Sequence, residues 1–284
     1  MKVDNFLLSS LYNKLDFPIR FVYSHSPFLN KLLFWKLYSS DFEKLDSQFE
    51  NMKLIVKDNG FDFNNKICLE LGPGNSYINA YNLLMNGAKK VFLIDKFSRR
   101  IKTKKQKDFF KKEVEFIKKK YKEEKLFFIK ENSINSQYIE FIEGDIRDLN
   151  LNSKVDFVLT KSVLEHIKNI KQTITKLSKI TKNNGFNYHY IDLRDHYNFS
   201  SPFLFYKYSP ETWNKALTRE GRTYTNRLRY DQYLDIFKEN NFNVVYQQLE
   251  RFTVLNNQKI FKEFNKHKEF LDIGIAKVLL KKND

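Results

Sequence analysis

The sequence has little cysteine, glycine or proline, and it lacks a long uninterrupted run of apolar residues. Cys68 is the only cysteine among 284 residues, which excludes a disulfide framework and every zinc module built from several cysteines. An apolar stretch at residues 28–38 contains one asparagine and two lysines and is too short to cross a bilayer. The first 17 residues include two aspartates and do not resemble a secretory signal. We therefore expect a cytoplasmic protein without membrane insertion.

Positive charge is in large excess, since 50 Lys and Arg against 34 Asp and Glu give a formal net charge of +16. Such an excess is typical of proteins that bind polyanions. However, 40 of the basic residues are lysines, and the chain is also rich in Asn, Phe, Tyr and Ile, as an AT-rich coding sequence would make it. Within residues 99–125, Phe110, Val114, Ile117 and Tyr121 recur at helical spacing, which predicts an amphipathic helix with lysines facing water. A selected anionic partner and a lysine bias both stay open.

Short apolar segments alternate with helical ones after residue 60, whereas residues 1–60 show helical periodicity only. The predicted strands are residues 66–71, 91–94, 138–143, 155–159, 186–191, 243–249 and 273–280. This alternation is typical of a mostly parallel sheet covered on both faces. We predict an α/β fold with a Rossmann-like, doubly wound sheet of seven strands. Its parts are an N-terminal helical extension at 1–60 and a domain at 61–284 with insertions at about 99–135, 195–229 and 251–272.

The first predicted strand ends in a turn, Glu70-Leu-Gly72-Pro73-Gly74, at the edge where such sheets bind ligands. A dinucleotide-binding turn would need Gly or Ala at position 77, but the residue is Tyr77, so hydride chemistry is disfavoured. Glycines at these two positions let the backbone approach a ligand closely. The Glu70 carboxylate can hold an ammonium group.

Two more acidic residues follow the next strands. Asp95 is placed to accept ribose hydroxyls, and Asp145 could accept an adenine amino hydrogen. An amino acid, a ribose and an adenine in this order describe S-adenosylmethionine. We therefore predict this molecule as the cofactor.

At the motifs LELGPGNS, FLID, EGDI and SVLEHI the chain resembles the class I S-adenosylmethionine-dependent methyltransferases, over about residues 48–195 and 229–280. The resemblance implies a methionine subsite at Glu70, Gly72, Pro73 and Gly74. It implies that Asp95 binds the ribose and that Asp145 with Ile146 binds the adenine. It also implies that Lys161 and Ser162 form the floor below the sulfonium.

The last of these motifs contains a Glu-His pair, Glu165 and His166. In some metal-assisted methyltransferases, a Glu three residues before such a pair completes a divalent-metal site, but here that position is Ser162. A carboxylate and one imidazole alone make a poor metal site. We therefore predict no metal, and we expect the pair to orient the following helix.

Transfer of a methyl group to oxygen requires an aligned nucleophile and a group that takes its proton. The candidate bases follow the fifth strand, where His189 and His196 flank Asp192. Asp192 is near enough to His196 in the sequence to pair with it and raise its basicity. We predict these three residues to be catalytic.

The insertion at 195–229 lies where this fold usually places an acceptor lid, and it is rich in arginine and tyrosine. Because the planar arginine fork matches carboxylates and phosphates, we predict that Arg194, Arg227 and Arg229 bind an anionic acceptor. Tyr206 could stack on a sugar or aromatic group. A surface ion-pair cluster and a small core within the insertion are the alternatives. The predicted reaction is O-methylation of a small anionic molecule, a sugar or specialised metabolite, as in polysaccharide or metabolite biosynthesis.

Two other classes of function stay open. A nucleic-acid methyltransferase would use the lysine-rich helix, but the Asn/Asp-Pro-Pro-aromatic run of base-amino methylation does not follow the fourth strand. Methylation of an RNA ribose is still compatible with the sequence. A noncatalytic, cofactor-binding partner subunit is the other class, and the sequence leaves the oligomeric state open.

Overall fold

A computed structural model gives the fold. It describes residues 17–18, 21–22, 26, 41–96, 103–121, 126, 128–130, 133–196, 201–217, 224–253 and 259–284. Most of the predicted N-terminal extension before residue 41 lies outside the described residues. Among the described helices, none is both long enough and apolar enough to cross a membrane.

Five α-helices of eight or more residues are described: α1 Phe42–Asp58, α2 Ile78–Met85, α3 Lys104–Lys120, α4 Ile170–Ile180 and α5 Tyr230–Glu239. The strands are β1 Ile67–Leu71, β2 Lys90–Asp95, β3 Ile129–Lys130, β4 Ser133–Ile134, β5 Ile139–Glu143, β6 Val155–Lys161, β7 Thr181–Asp192, β8 Phe242–Arg251 and β9 Ile273–Lys282. Strands β3 and β4 form a short separate hairpin that the sequence did not predict. The other seven correspond to the seven predicted strands.

These seven strands form one sheet in the order β5-β2-β1-β6-β7-β9-β8. The pairs from β5 to β7 are parallel, and β9 pairs antiparallel with both β7 and β8. The predicted fold class is confirmed. Because the chain moves outward from β1 to β5 and then returns to β6, the strand order reverses between β1 and β6. This reversal opens a crevice at their carboxyl ends, where open α/β sheets bind ligands.

Two hydrophobic cores cover the two faces of the sheet. Cys68 packs with α1, α2 and α3 on one face, and the next residue, Leu69, packs with α4 and α5 on the other. A third, smaller core joins the two insertions of the domain that flank α5; it consists of Phe203, Phe205, Tyr206, Tyr208, Trp213, Phe264 and Leu271. The segment predicted to be an acceptor lid therefore has its own packed interior.

Helix α3 is amphipathic, as its sequence pattern predicted. Phe110 and Ile117 are buried, while the lysines on the opposite face are exposed. Its single buried acid is Glu113, which accepts hydrogen bonds of 2.7 Å from the Ser76 hydroxyl and from the backbone N–H of Tyr77. Both donors lie at the start of α2, so Glu113 joins α3 to the turn that follows β1.

Candidate active site

The turn after β1 has the geometry of a close-approach ligand site. Gly72 and Gly74 have φ values of +73° and +62°, a region that favours glycine. A Cβ atom at Gly72 would lie 2.4 Å from Cγ2 of Val163, so a side chain has no room there. At Gly74 no described atom lies within 4 Å of a Cβ position, so the backbone there is open to the crevice. Pro73 lies between the two and is partly buried.

Two carboxylates flank this turn. Glu70 is buried near the end of β1 and accepts a hydrogen bond of 2.6 Å from the Asn79 side chain. Asp95 is the last residue of β2 and is partly exposed. Since β1 and β2 run parallel in register, both acids lie at the same edge of the sheet. An open glycine turn between two carboxylates fits a ligand with an ammonium group and neighbouring hydroxyls, as S-adenosylmethionine has.

Asp145 does not have a free acceptor position for adenine. Its Oδ1 accepts the backbone N–H of Arg147 at 3.0 Å and the Nε–H of the same residue at 2.9 Å. Its Oδ2 accepts Arg147 Nη2 at 2.5 Å and pairs with Lys96 Nζ at 2.7 Å. A carboxylate offers about four acceptor sites, and all four are taken. The predicted adenine contact would require one of these partners to leave; Ile146 beside it is packed in the core.

Lys161 and Ser162 follow from β6 into the crevice. The Lys161 ammonium donates to the side-chain carbonyl of Gln48 in α1, and burial lowers the pKa of Lys161 although Glu70 opposes the shift. Ser162 has φ +51°, a strained conformation for serine, and its N–H donates to the carbonyl of Tyr190 at 2.8 Å. Strain of this kind is found at functional sites. Through Val163, this segment contacts Gly72, so it borders the cofactor turn.

Just beyond lies a cluster of donor atoms that the sequence did not predict. One donor atom each from Glu165, His166 and His196 lies within 4.8 Å of the other two. The two imidazole rings have centroids 4.8 Å apart. Glu165 is 2% exposed, while both histidines are partly exposed. The Nε2 atom of His196 is itself buried, so the exposed parts of the cluster lie elsewhere on the two imidazole rings.

The electrostatics of the cluster follow from its burial. Burial raises the pKa of Glu165 to about 8, with His196 acting in the opposite direction. Burial and the neighbouring His196 lower the pKa of His166 to about 4. For His196, burial acts to lower the pKa, but Asp192 and Glu165 outweigh it and raise the pKa. His196 is thus the favoured proton carrier of the cluster.

The predicted pairing of Asp192 with His196 is present only as a long contact. The Asp192 carboxylate is bound bidentately by Arg194, at 2.9 Å to Nε and 2.8 Å to Nη2, and its Oδ2 is 3.8 Å from His196 Nε2. Burial acts to raise the pKa of Asp192, but Arg194 and His196 hold it below its usual range. Arg194 is engaged by this acid and is only partly exposed, so it contributes to the cluster through Asp192.

His189 does not reach the crevice, and its predicted role as a base is corrected here. The residue is fully buried, its ring stacks on Phe237 of α5, and its Nδ1 is 2.8 Å from the hydroxyl of Thr160. Burial lowers the pKa of His189 to about 3. The alternation of β7 directs this side chain under α5, where it is a neutral core residue.

The prediction that Arg227, Arg229 and Tyr206 contact the acceptor is also corrected. Arg227 is buried, and its guanidinium donates to the carbonyls of Phe205 and Tyr208 and to Glu263. The guanidinium of Arg229 is bound entirely within the protein, to Arg227 O, Tyr206 Oη and Leu193 O. Tyr206 is fully buried and donates to Leu271 O at 2.7 Å. These side chains stabilise the insertion from inside. This agrees with the alternative interpretation of the sequence, in which the insertion has a small core.

Sequence reasoning missed the meeting of His196 with Glu165 and His166. A signal was available, because the two segments directly follow β6 and β7, which are adjacent and parallel. Residues that follow adjacent parallel strands lie at the same edge of a sheet. The spacing within residues 162–166 alone does not reveal His196 as the third donor.

Comparisons with known proteins agree with this geometry. Residues 69–188 match the sequence profile of the family described as "Methyltransferase domain". The match runs from within β1 to within β7, so it includes the glycine turn, Asp95 and the Glu165–His166 pair. No curated protein matches the chain in sequence.

Solved structures with a similar fold include two methyltransferases of low sequence identity. An S-adenosylmethionine-dependent methyltransferase from Clostridium acetobutylicum is 13% identical, covers 98% of each chain and has a TM-score of 0.47. The N-methyltransferase NodS from Bradyrhizobium japonicum, in complex with S-adenosyl-L-homocysteine, is 12% identical over 88% of this chain and 92% of its own, with a TM-score of 0.47. The family match over residues 69–188, with the glycine turn inside it, identifies a methyltransferase domain in this chain.

Proposed function

We propose that this methyltransferase transfers the methyl group to a hydroxyl oxygen of a small acceptor bound beside Glu165, His166 and His196. The observation that carries the proposal is this cluster, which follows β6 and β7 and borders the cofactor turn through Val163. A cluster of carboxylate and imidazole groups suits an acceptor whose proton must be removed.

Cofactor binding uses the residues of the turn. Glu70 would hold the ammonium group, Asp95 the ribose hydroxyls, and the open backbone at Gly74 would allow the ligand to approach. S-adenosylmethionine supplies a methyl group already activated by its positively charged sulfur. The protein then needs to align the oxygen with that carbon and receive the hydroxyl proton.

His196 is the residue proposed to receive this proton. The Asp192 carboxylate lies 3.8 Å from its Nε2 and stabilises its protonated form, and the His196 side chain is 22% exposed. Arg194 fixes Asp192 bidentately, so the acid that supports His196 is held in place. His189 is not proposed as a proton acceptor, because its ring lies under α5.

We propose a broader chemical class of acceptor than the one that the sequence predicted. Two of the three arginines expected to bind an anion are instead bonded inside the insertion. We propose a small hydroxyl compound, such as a sugar or a specialised metabolite, without requiring a negative charge. We do not favour a nucleic-acid acceptor bound by the lysines of α3, because the exposed lysines lie on the outer face of that helix and not toward the crevice.

The test is transfer of a labelled methyl group from S-adenosylmethionine to a panel of neutral and anionic sugars, sugar nucleotides and hydroxy acids, with RNA as a separate arm. The expected product is a methyl ether, identified by NMR and by its resistance to mild alkali. His196→Asn should reduce turnover by about 100-fold or more while cofactor affinity is unchanged. His267→Asn is the matched control, because His267 pairs with Asp231 outside the crevice.

Label on nitrogen or in RNA would overturn the proposal. So would full turnover of His196→Asn on the identified acceptor.

A further inference from the structure

Three nitrogen and oxygen donors converge at the ends of β6 and β7, and the mechanism above uses only one of them. From this geometry we propose that Glu165, His166 and His196 bind a divalent transition-metal ion next to the acceptor. The predicted absence of a metal relied on Ser162, which replaces a third ligand in the sequence. In the fold, His196 supplies that third ligand from the segment after β7.

The distances suit a site that closes on the ion. Ligands about 2.1 Å from a tetrahedral metal are roughly 3.4 Å apart. The three donor atoms lie within 4.8 Å of one another, so side-chain movements of about 1 Å complete the site.

The surrounding hydrogen bonds already orient the ligands. Nδ1 of His166 is 2.6 Å from the carbonyl of Tyr224; the carbonyl accepts a hydrogen bond from the Nδ1–H, which leaves Nε2 with a lone pair. Asp192 stands beside His196, and its backbone N–H donates to Oε1 of Glu165 at 3.3 Å. A carboxylate or carbonyl behind each ligating histidine is typical of metal sites.

The second oxygen of Glu165 is the strongest single indication of a ligand. Its Oε2 is buried and, among the described residues, has no hydrogen-bond partner. Buried carboxylates are normally paired or bound to a metal, because an uncompensated one is costly. The unused oxygen belongs to the same residue whose carboxylate lies within reach of both imidazoles.

Two imidazoles and one carboxylate favour Zn²⁺ or a similar first-row transition-metal ion over Mg²⁺ and Ca²⁺, which prefer all-oxygen sites. Three protein ligands also leave positions open for acceptor oxygens. Metal binding itself is independent of the proposed function. Its role at the acceptor rests on that function, and it would make His196 a ligand rather than a proton carrier whenever the ion is bound.

The test is calorimetric titration of chelator-treated full-length protein with Zn²⁺ and, separately, with Mg²⁺. We expect one Zn²⁺ per chain at micromolar or lower Kd, much weaker Mg²⁺ binding, and an increase in Tm with Zn²⁺. Glu165→Gln and His196→Asn should each weaken Zn²⁺ binding at least tenfold. His267→Asn, the control, should bind as the wild type does.

Failure of the wild type to bind Zn²⁺, or equal binding by all variants, overturns the metal site. Glu165→Gln replaces the carboxyl group by an amide of nearly the same shape, so the fold should persist, and far-UV circular dichroism together with the Tm rise caused by S-adenosylmethionine checks this. Loss of Zn²⁺ binding with an intact S-adenosylmethionine response is then a ligand effect. If methyl transfer occurs but Zn²⁺ does not bind, only the metal inference fails; if Zn²⁺ binds but no hydroxyl acceptor is methylated, only the proposed function fails.

Discussion

Arg229 donates a hydrogen bond of 2.8 Å to the hydroxyl of Tyr206, and both side chains are buried. Through this contact the residue just before α5 is joined to the core of the preceding insertion. The arginine fork therefore recognises protein carbonyls and a phenol here, in place of the acceptor anion that its presence suggested.

Arg229→Met is accordingly expected to destabilise the protein. The substitution leaves Leu193 O, Arg227 O and the Tyr206 hydroxyl without this donor, at a cost of about 1–3 kcal/mol in the free energy of unfolding. Arg251→Met is the control; Arg251 pairs with Asp272 on the surface, so its loss should cost about 1 kcal/mol or less. Urea unfolding of both variants measures the difference. Equal stabilities would contradict the buried role of Arg229.

Asp95→Asn is expected to weaken binding of S-adenosylmethionine and of S-adenosyl-L-homocysteine. The change removes the charged acceptor for the ribose hydroxyls, and a charge-assisted hydrogen bond contributes about 1.5–3 kcal/mol, or roughly 10- to 150-fold in Kd. Thermal-shift titration gives the Kd. Glu140→Gln, which removes a surface partner of Lys90 at the other end of β2, should leave the Kd unchanged. An unchanged Kd for Asp95→Asn would exclude the predicted ribose contact.

Gly72 and Val163 are expected to couple energetically. Gly72→Ala places a Cβ atom 2.4 Å from the Val163 side chain. It also puts an alanine at a positive φ, which alone costs about 1–2 kcal/mol. Because Val163→Ala removes the clash, the double variant should be more stable than the sum of the single effects by more than about 0.5 kcal/mol. Chemical unfolding of the four proteins measures this. Additivity within that margin would show that the turn shifts away from Val163 freely.

The buried His189 predicts a loss of stability in mild acid. Its pKa is held near 3 in the fold but returns to about 6.5 on unfolding, so only the unfolded chain takes up the proton between these values. Stability from this residue is therefore complete above about pH 6.5 and declines as the pH falls toward 3, by about 2 kcal/mol at pH 5. His189→Gln should show a flatter dependence over this range in urea unfolding. An identical slope would mean that another group is responsible.

The sheet and the cofactor turn could be predicted because their signals are local. Cys68 and Leu69 belong to a short apolar run that reads as a strand buried on both faces, and they do pack into the two different cores. The glycine turn was identified from residue type alone, since its positive φ values favour glycine. Two-residue strands such as Ile129–Lys130 carry no periodicity, so the extra hairpin left no pattern to detect.

The roles of individual polar residues could not be predicted in the same way. Alternation along β7 placed His189 and Asp192 on opposite faces, but it could not show that α5 would cover His189. The sequence also gave no sign that backbone carbonyls would occupy Arg227 and Arg229. The partners of a buried polar group come from distant segments, and only the fold brings them together.

Glu113 joins the lysine-rich helix α3 to the residues that follow the glycine turn. Its carboxylate accepts hydrogen bonds from the Ser76 hydroxyl and the Tyr77 backbone N–H, which lie two and three residues after Gly74. A small displacement of α3 would lengthen both hydrogen bonds and move the start of α2. The helix that carries the exposed lysines is thereby linked, through one buried carboxylate, to the end of the turn that follows β1.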